Sequence, residues 1–497
     1  MKRILDTVHG YIMVEDHYIK HIIDTQPFQR LRRVEQTSIR SVYPSARHDR
    51  FIHSLGVYHI GSLIVEHLKK EAKANKNWGE TETTLGVIYD SYLAACLLHD
   101  VGHAPFSHSF ERYFGQKNNL AENLISEIKD EEFKTDLNVL MGLDEPNFHE
   151  FMSAIVSVME FSDALKRINI DTELVARMII GNTYRKKEET HQIQNCFISL
   201  LHGNIIDADR LDYACRDVWA SGYSTSSIDL RRLISALHIK KDKNNKYVVC
   251  FESNSLNEIE GLLNVKDFQV RYVINHHTVS YDQWLLDNAA RTMALKFFPD
   301  EKDDTDGELA LRNIITKDSV VGETELLDGK IVISNISDDD LVFLMKQDKN
   351  PFYVQWSSRQ YTHFPLWKSR DEFFHFFKVE NREMEIRQPR FEEVVKPILE
   401  KNGINDSDII VTEAVFKPRV KMDSLSIMIS NEVVKYTEIY PESDNKNINK
   451  YFYYVFIPKN EKDLDEMKLL RQKLIEALRE PIQALYKAPQ KDSVKPE

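Results

Sequence analysis

Apolar residues recur at helical spacing through about residue 300, and that pattern limits the fold more than any other feature of the sequence. Ile19, Ile22 and Ile23, then Phe28, Leu31 and Val34, return near the helical period, so residues 16–70 read as helical. The same period runs through 85–115, 150–180, 194–218 and 254–296. The stretch 116–148 is charged and is broken by Gly142 and Pro146. Strand-like runs come later, at 247–251, 331–333 and 408–412. The acidic, polar segment 301–307 predicts a domain boundary. These signals give a mainly α chain: a helical body over 1–300, a smaller α+β region over 308–486 ending in a charged amphipathic helix, and a flexible tail at 487–497.

Composition narrows the class. The chain has 497 residues, 42 % of them hydrophobic and 10 % aromatic, enough to bury a sizeable core. A disordered chain and a small disulfide scaffold are excluded. The four cysteines form no CxxC pair, which fits reduced thiols and a cytoplasmic protein. The longest clean apolar run, 92–98, is far short of the ~20 residues of a membrane span. No apolar stretch follows the first residues, so no signal peptide is expected. With 65 Lys+Arg against 78 Asp+Glu, the net charge is −13. That argues against broad nucleic-acid binding and leaves room for a local basic pocket.

Eighteen histidines are present, and several sit in polar clusters. The central cluster is His99-Asp100-Val101-Gly102-His103, followed by Pro105 and His108. Helical spacing would place His99 and His103 on one face, with Asp100 offset by about 100°. A His and its neighbouring Asp can both reach a divalent ion in a groove. Further ligands must then come from elsewhere. His53 is one candidate, and the segment Asp207-Ala208-Asp209-Arg210-Leu211-Asp212-Tyr213 supplies the other. Two imidazoles with two carboxylates suit a divalent ion that keeps positions for water and a phosphate oxygen. A closed structural zinc site would favour thiolates.

These motifs resemble the HD-domain phosphohydrolases. More narrowly, the sequence is similar to their deoxynucleoside triphosphate triphosphohydrolases, including the vertebrate members that join a sterile alpha motif to an HD domain. The matching runs are DTVHGYI (6–12), IIDTQPFQRLRRVEQ (22–36), HDRFIHSLGV (48–57), LLHDVGHAPFSHSFE (97–111), His149-Glu150 and IDADRLDYACRD (206–217). They cover about residues 1–290 well and the remainder loosely. No sterile alpha motif is expected in the chain.

The resemblance implies a helical HD core with His53, His99, Asp100 and Asp209 as metal ligands. The ion would be Mn, Fe, Ni, Co, Zn or Mg, with additional Mg accompanying the nucleotide. It implies His103 and His108 at the triphosphate, with His103 among the catalytic residues. His149 would be the proton donor and Glu111 its carboxylate partner. Arg50 and Arg210 would hold phosphate oxygens, each with a surface salt bridge as the alternative. Tyr213 and Asp217 would line the sugar, although Asp217 could instead pair with Arg216. Gln36 matches the residue that reads the sugar 3′ position. Thr37 departs from the vertebrate pattern. So do Lys266, Val270 and Ile274, in a placement without gaps anchored on His276. Lys266 stands at a phosphate-binding position, with a solvated helix face as the alternative.

A regulatory site is also implied. Asp24, Gln29 and Arg32 match residues that bind a guanine nucleotide activator, and Lys2 lies near a phosphate-binding lysine. A carboxylate can accept from guanine N1 and N2, and an arginine can read O6 and N7. Helix capping at Asp24 or Thr25 is the plainer alternative. GTP or a dNTP would then assemble a homo-oligomer, with a tetramer favoured. Lys417, Arg419 and Lys421 alternate along a strand-like stretch, either facing an activator phosphate or protecting an edge. The expected activity is metal-dependent hydrolysis of dNTPs to deoxynucleoside and inorganic triphosphate, for pool control or for dNTP depletion against phage. The alternatives are a nucleotide-sensing HD protein with weak chemistry, another HD nucleotidase or phosphodiesterase, and a metal-dependent nuclease.

Overall fold

In the computed structural model the described residues are 1–487, without 144, 204, 224–227, 299–306, 327–330, 380–383, 417–421, 441–449 and 460–463. Most of the expected break at 301–307, the basic triad Lys417, Arg419 and Lys421, and nearly all of the tail lie outside them. The fold is mainly helical, with a helical body and a smaller sheet-containing C-terminal region.

The chain sorts into two compact units. The first comprises Met1–Lys266, Ala290–Asp348 and Val420–Asn445, and the second Asp267–Ala289, Lys349–Arg419 and Lys446–Glu497. This differs from a division at 301–307. Segments expected in the C-terminal region are built into the first unit. Strand Ser426–Ile429 pairs in parallel with Tyr247–Glu252, and Asp338 accepts backbone N–H groups of Glu35 and Phe106.

The first unit opens with an antiparallel hairpin, Lys2–Asp6 against Gly10–Val14. Helix Arg50–Ala74 follows, started by Asp49, whose side chain accepts from Ile52 N–H. Helix Glu82–Leu98 starts the same way on Thr81. It is buried almost all round from Leu85 to Leu98, which explains its apolar sequence. Helices Phe148–Arg167 and Thr172–Ile180 pack on it. A four-stranded sheet has the order Glu432–Lys435, Ser426–Ile429, Tyr247–Glu252, Leu237–Lys241.

The helical period misleads in two places. Residues 16–49 hold only a short α-helical turn (Asp16–Tyr18), a π-helical turn (Ile19–Ile23), a short helix (Gln26–Arg30) and a 3-10 turn before an irregular stretch. There the backbone pairs with itself: Gln36 N–H donates to His48 C=O and Arg50 N–H to Val34 C=O. Second, the helix of 85–115 stops at Leu98, with His99 at its C-cap. His103 therefore lies in the following turn and shares no helix face with His99. Gly102 makes this turn possible. Its N–H donates to Ser153 Oγ at 3.0 Å, and a Cβ there would stand 2.3 Å from the Ser153 nitrogen.

The second unit has its own core around Trp367, Phe373, Phe377, Phe391, Tyr453 and Leu478. Its three-stranded sheet places Lys450–Pro458 between His363–Pro365 and Ile410–Phe416. Among the described residues no helix is long and apolar enough to cross a membrane.

Gly102→Ala should destabilise the first unit by about 2–4 kcal/mol, because the backbone of another helix cannot yield as a side chain can. Chemical unfolding of the variant checks this, and a loss below about 0.5 kcal/mol would show that the turn relaxes.

Candidate metal-dependent active site

His53 sits in the first turn of helix Arg50–Ala74, His99 and Asp100 just past the end of Glu82–Leu98, and Asp209 in the first turn of Ala208–Ser221. Their donor atoms converge. His53 Nε2 lies 2.9 Å from Asp209 Oδ1 and 3.6 Å from Asp100 Oδ2. His99 Nε2 lies 3.3 Å from His53 Nε2, 3.5 Å from Asp100 Oδ2 and 3.7 Å from Asp209 Oδ1. His53, His99 and Asp100 are buried, and Asp209 is about one-third exposed.

The outward nitrogens are spoken for. His53 Nδ1 is 2.7 Å from Asp212 Oδ2, and His99 Nδ1 is 3.0 Å from the Cys96 carbonyl. Each Nδ1 faces an acceptor, so each neutral ring points a lone pair from Nε2 at the other. Two lone pairs facing at that distance call for a positive charge. Burial opposes a charged His53, yet hydrogen bonds to Asp209 and Asp212 push its pKa up to about 10. A divalent ion supplies such a charge without the proton, and the donor set of two imidazoles and two carboxylates fits one.

Asp212 lies behind His53 and gathers more charge. It also meets His9 Nε2 at 2.6 Å and accepts from Arg216 Nε at 2.8 Å, while Arg216 reaches Asp6 at 2.9 Å. Arg216 is thus taken, and Asp217 pairs with His48 Nε2 at 2.8 Å, not with Arg216. Asp212 and His9 fall within recognisable segments, but no local pattern gave them a role. The one available signal was the spacing of Asp212 three residues after Asp209.

A second group adjoins the ligands. His103 Nε2 is 3.2 Å from Asp100 Oδ1, and its ring stacks on His149 at 4.2 Å. Glu111 receives His149 Nδ1 at 2.8 Å and His108 Nδ1 at 3.1 Å. Burial would lower the His149 pKa, but Glu111 outweighs it and raises it. Burial would also raise Glu111, and its two histidines hold it well below the usual carboxylate range. His103 is driven the other way, by burial and then by the Arg50 and His149 charges.

The phosphate and sugar candidates are placed unequally. Arg50 is buried and committed to Asp100 (2.7 Å), Ser107 Oγ (3.0 Å) and the Gln36 carbonyl (3.2 Å). Arg210 keeps a buried NH1 without a hydrogen-bond partner among the described residues. Gln36 Oε1, His48 Nδ1 and His103 Nδ1 are likewise buried and unsatisfied. Buried polar atoms of this kind ordinarily have a partner, so the set marks where a polar ligand would sit. Tyr213 is half-buried. Lys266 is half-buried on helix Leu256–Phe268 and closes the first unit. Val270 packs on the core of the second unit and Ile274 is exposed there. The π-helical stretch Gln269–Ile274 breaks the α-helical register between Lys266 and His276, so spacing alone cannot assign these residues to one face.

Of the activator residues, Gln29 and Arg32 are brought together. Gln29 Oε1 accepts from Arg32 Nε at 2.8 Å, and Gln29 Nε2 donates to the Ile23 carbonyl. Arg32 lies over the Phe51 ring at 3.5 Å. Asp24 and Lys2 are exposed. Thr25 occupies the N-cap position of Gln26–Arg30 but makes no capping bond, and its hydroxyl donates to Ile22 C=O.

The HD domain profile matches residues 50–210, a span that holds all four converging ligands. The chain carries an HD domain. The chain is also similar to several known proteins. A Dictyostelium discoideum protein named deoxynucleoside triphosphate triphosphohydrolase SAMHD1 homolog is 27 % identical, over 72 % of this chain and 62 % of its own length. The Danio rerio deoxynucleoside triphosphate triphosphohydrolase SAMHD1 is 26 % identical, over 56 % of this chain and 42 % of its own. The uncharacterised Bacillus subtilis protein YwfO is 29 % identical over 55 % of this chain. This chain spans about half the length of YwfO, 52 %. A crystal structure of an Aquifex aeolicus hypothetical protein has the same fold over 96 % of this chain and 99 % of its own, with a TM-score of 0.55 and 22 % identity. Residues 50–210 thus form an HD domain whose His/Asp cluster can hold a metal.

Asp212→Asn should weaken divalent metal binding at the HD site about 10–100-fold, the usual cost of losing a carboxylate behind a ligating imidazole. Titration calorimetry with Mn²⁺ checks this. Unchanged affinity would show that Asp212 acts on folding alone.

Proposed function

We propose that the HD site hydrolyses dNTPs to a deoxynucleoside and inorganic triphosphate. The observation that carries this reading is the adjacency of the four-ligand cluster to the His103–His149–Glu111 group, joined through Asp100. The similarity to named dNTP triphosphohydrolases supports the same chemistry.

A divalent ion at His53, His99, Asp100 and Asp209 would lower the pKa of water and polarise a phosphoryl oxygen. The protein's own groups do the rest. Water oxygen joins the α-phosphorus, the bond from phosphorus to the 5′ oxygen breaks, and that oxygen takes up a proton. His149 is suited to supply it. Glu111 fixes its Nδ1 and favours its charged form, leaving Nε2 as the proton-donating atom. His103, kept neutral, offers one N–H to a phosphate oxygen without adding charge beside His149. Arg210 offers its unused NH1, and His108 sits at the exposed rim. Gln36, Tyr213 and Asp217 would line the sugar, and Lys266 a phosphate. We further propose that GTP or a dNTP binds at Asp24, Gln29 and Arg32, with Lys2 nearby, and promotes a homotetramer.

Product analysis with Mn²⁺ tests the reaction. Each dNTP is offered singly, in pairs, and with GTP. Tripolyphosphate plus deoxynucleoside, lost in Asp100→Ala, is the expected result. Orthophosphate or pyrophosphate would place the protein in another HD reaction, and binding without turnover would make it a sensor. Activity confined to mixtures, accompanied by a tetramer in light scattering and removed by Asp24→Ala, is expected of the activator site.

A general acid works only while protonated, so kcat should fall as pH rises through the raised pKa of His149. Glu111→Gln removes the group that raises it and should move this alkaline limb to lower pH. His149→Ala should lower kcat about 10²–10⁴-fold. An alkaline limb unmoved by Glu111→Gln would take the proton-donor role away from His149.

A further inference from the structure

We propose that His67, Glu71 and His238 form a second metal site in the first unit, suited to a zinc-like divalent ion and separate from the HD cluster. His67 and Glu71 are one turn apart on helix Arg50–Ala74, hence on one face. His238 comes from Leu237–Lys241, the edge strand of the four-stranded sheet. One donor atom from each of the three lies within 4.8 Å of the others.

Each side chain is anchored from behind. His67 Nε2 is 2.8 Å from the Leu237 carbonyl, and His238 Nε2 is 3.2 Å from Glu252 Oε1. Glu71 Oε2 accepts from Ile239 N–H at 3.3 Å. A carbonyl or carboxylate behind each imidazole is the arrangement that fixes the tautomer of a metal-ligating histidine. The inner atoms are the poorly satisfied ones. Glu71 Oε1 and His238 Nδ1 are buried and face each other at 3.4 Å, without the geometry of a good hydrogen bond. The Glu71 side chain is only 8 % exposed, so Oε1 is not turned to solvent. The Lys240 ammonium stands 3.2 Å from Glu71 Oε1 on a side chain that is 34 % exposed. It partly neutralises the carboxylate, and it can swing to water when an ion enters.

Two imidazoles and one carboxylate, with water in a fourth position, are a zinc donor set. The nitrogen donors disfavour Ca²⁺ and Mg²⁺, which take oxygen ligands. An ion here would tie the sheet edge to the helix that bears His53. Occupancy of this open, water-bearing site would stabilise the first unit.

The test uses the full chain, stripped with chelator and reloaded with Zn²⁺, and reads bound zinc by elemental analysis together with Tm. Wild type should retain about two equivalents, and the Asp100→Ala/Asp209→Ala double variant about one, since ligand removal abolishes tight binding. In that double variant Zn²⁺ should raise Tm. Glu71→Gln or His238→Ala added to it should abolish both the remaining equivalent and the rise in Tm. Lys240→Met should strengthen binding, and it keeps the test alive if His238→Ala fails to fold. No zinc in the double variant, or an equivalent that survives both Glu71→Gln and His238→Ala, would overturn the proposal and leave Glu71 and His238 as an ion pair only.

Discussion

The buried carboxylate of Asp212 holds the active site together. It meets His53, His9 and both a terminal and the ε nitrogen of Arg216, while Arg216 is held in turn by Asp6. Taking these charges out of water costs several kcal/mol each, and the arrangement persists because nearly every donor and acceptor is met. Removing one partner would leave an uncompensated buried charge. The network also joins distant parts of the chain: the N-terminal hairpin, the first turn of Arg50–Ala74 and the helix Ala208–Ser221. Gly56 is the space it requires. A Cβ there would stand 1.9 Å from Asp212 Oδ1 and 2.5 Å from an Arg216 nitrogen.

A second support reaches the site from far along the sequence. Phe106 and Ser107 both take left-handed backbone angles, with φ of 55° and 53°, which non-glycine residues seldom adopt. They sit between His103 and His108. Asp338 holds this turn, accepting Phe106 N–H at 2.6 Å and Glu35 N–H at 2.9 Å, beside Gln36. Arg30 adds bonds to the carbonyls of Ile336 and His103. Burial, reinforced by Glu35, pushes the Asp338 pKa up to about 8, so this clamp is itself costly. Strain accepted beside catalytic candidates and offset by a remote segment is a familiar bargain at functional sites. It also explains why 308–348 cannot be separated from the HD body.

Of the four candidate metal ligands, His99 and Asp100 were legible as a His beside an Asp and His53 as a candidate partner, whereas Asp209 was singled out within the acidic segment 207–213 only by the family resemblance. What supports the four was not legible. The partners of Asp338 lie 232 and 303 residues away, and no periodicity reports such a distance. The hairpin 2–14 escaped because its outward residues include Leu5, Tyr11 and Met13, which blur the alternation a half-buried strand should show. The helix of 85–115 was overextended because apolar residues continue past Leu98, buried now by a turn rather than a helix face. The π-helical stretch 269–274 defeats counting for a related reason, since its wider turn changes which residues share a side.

One imidazole chemistry takes three forms within this site, and the surroundings decide which. His53 faces carboxylates from two sides and is drawn toward positive charge, which a metal can supply in place of a proton. His103 is equally buried but shares its space with the Arg50 and His149 charges, so it stays neutral. His149 stacks on it, yet Glu111 lies against its other edge and holds it protonated longer. A candidate ligand, a neutral imidazole and a candidate acid thus stand side by side, each set by its own surroundings. Asp100 links the first two by lying within reach of both, and Arg50 fixes Asp100. Arg50 therefore contributes most by holding that carboxylate ionised between two histidines, whose division of labour would collapse if it took up a proton.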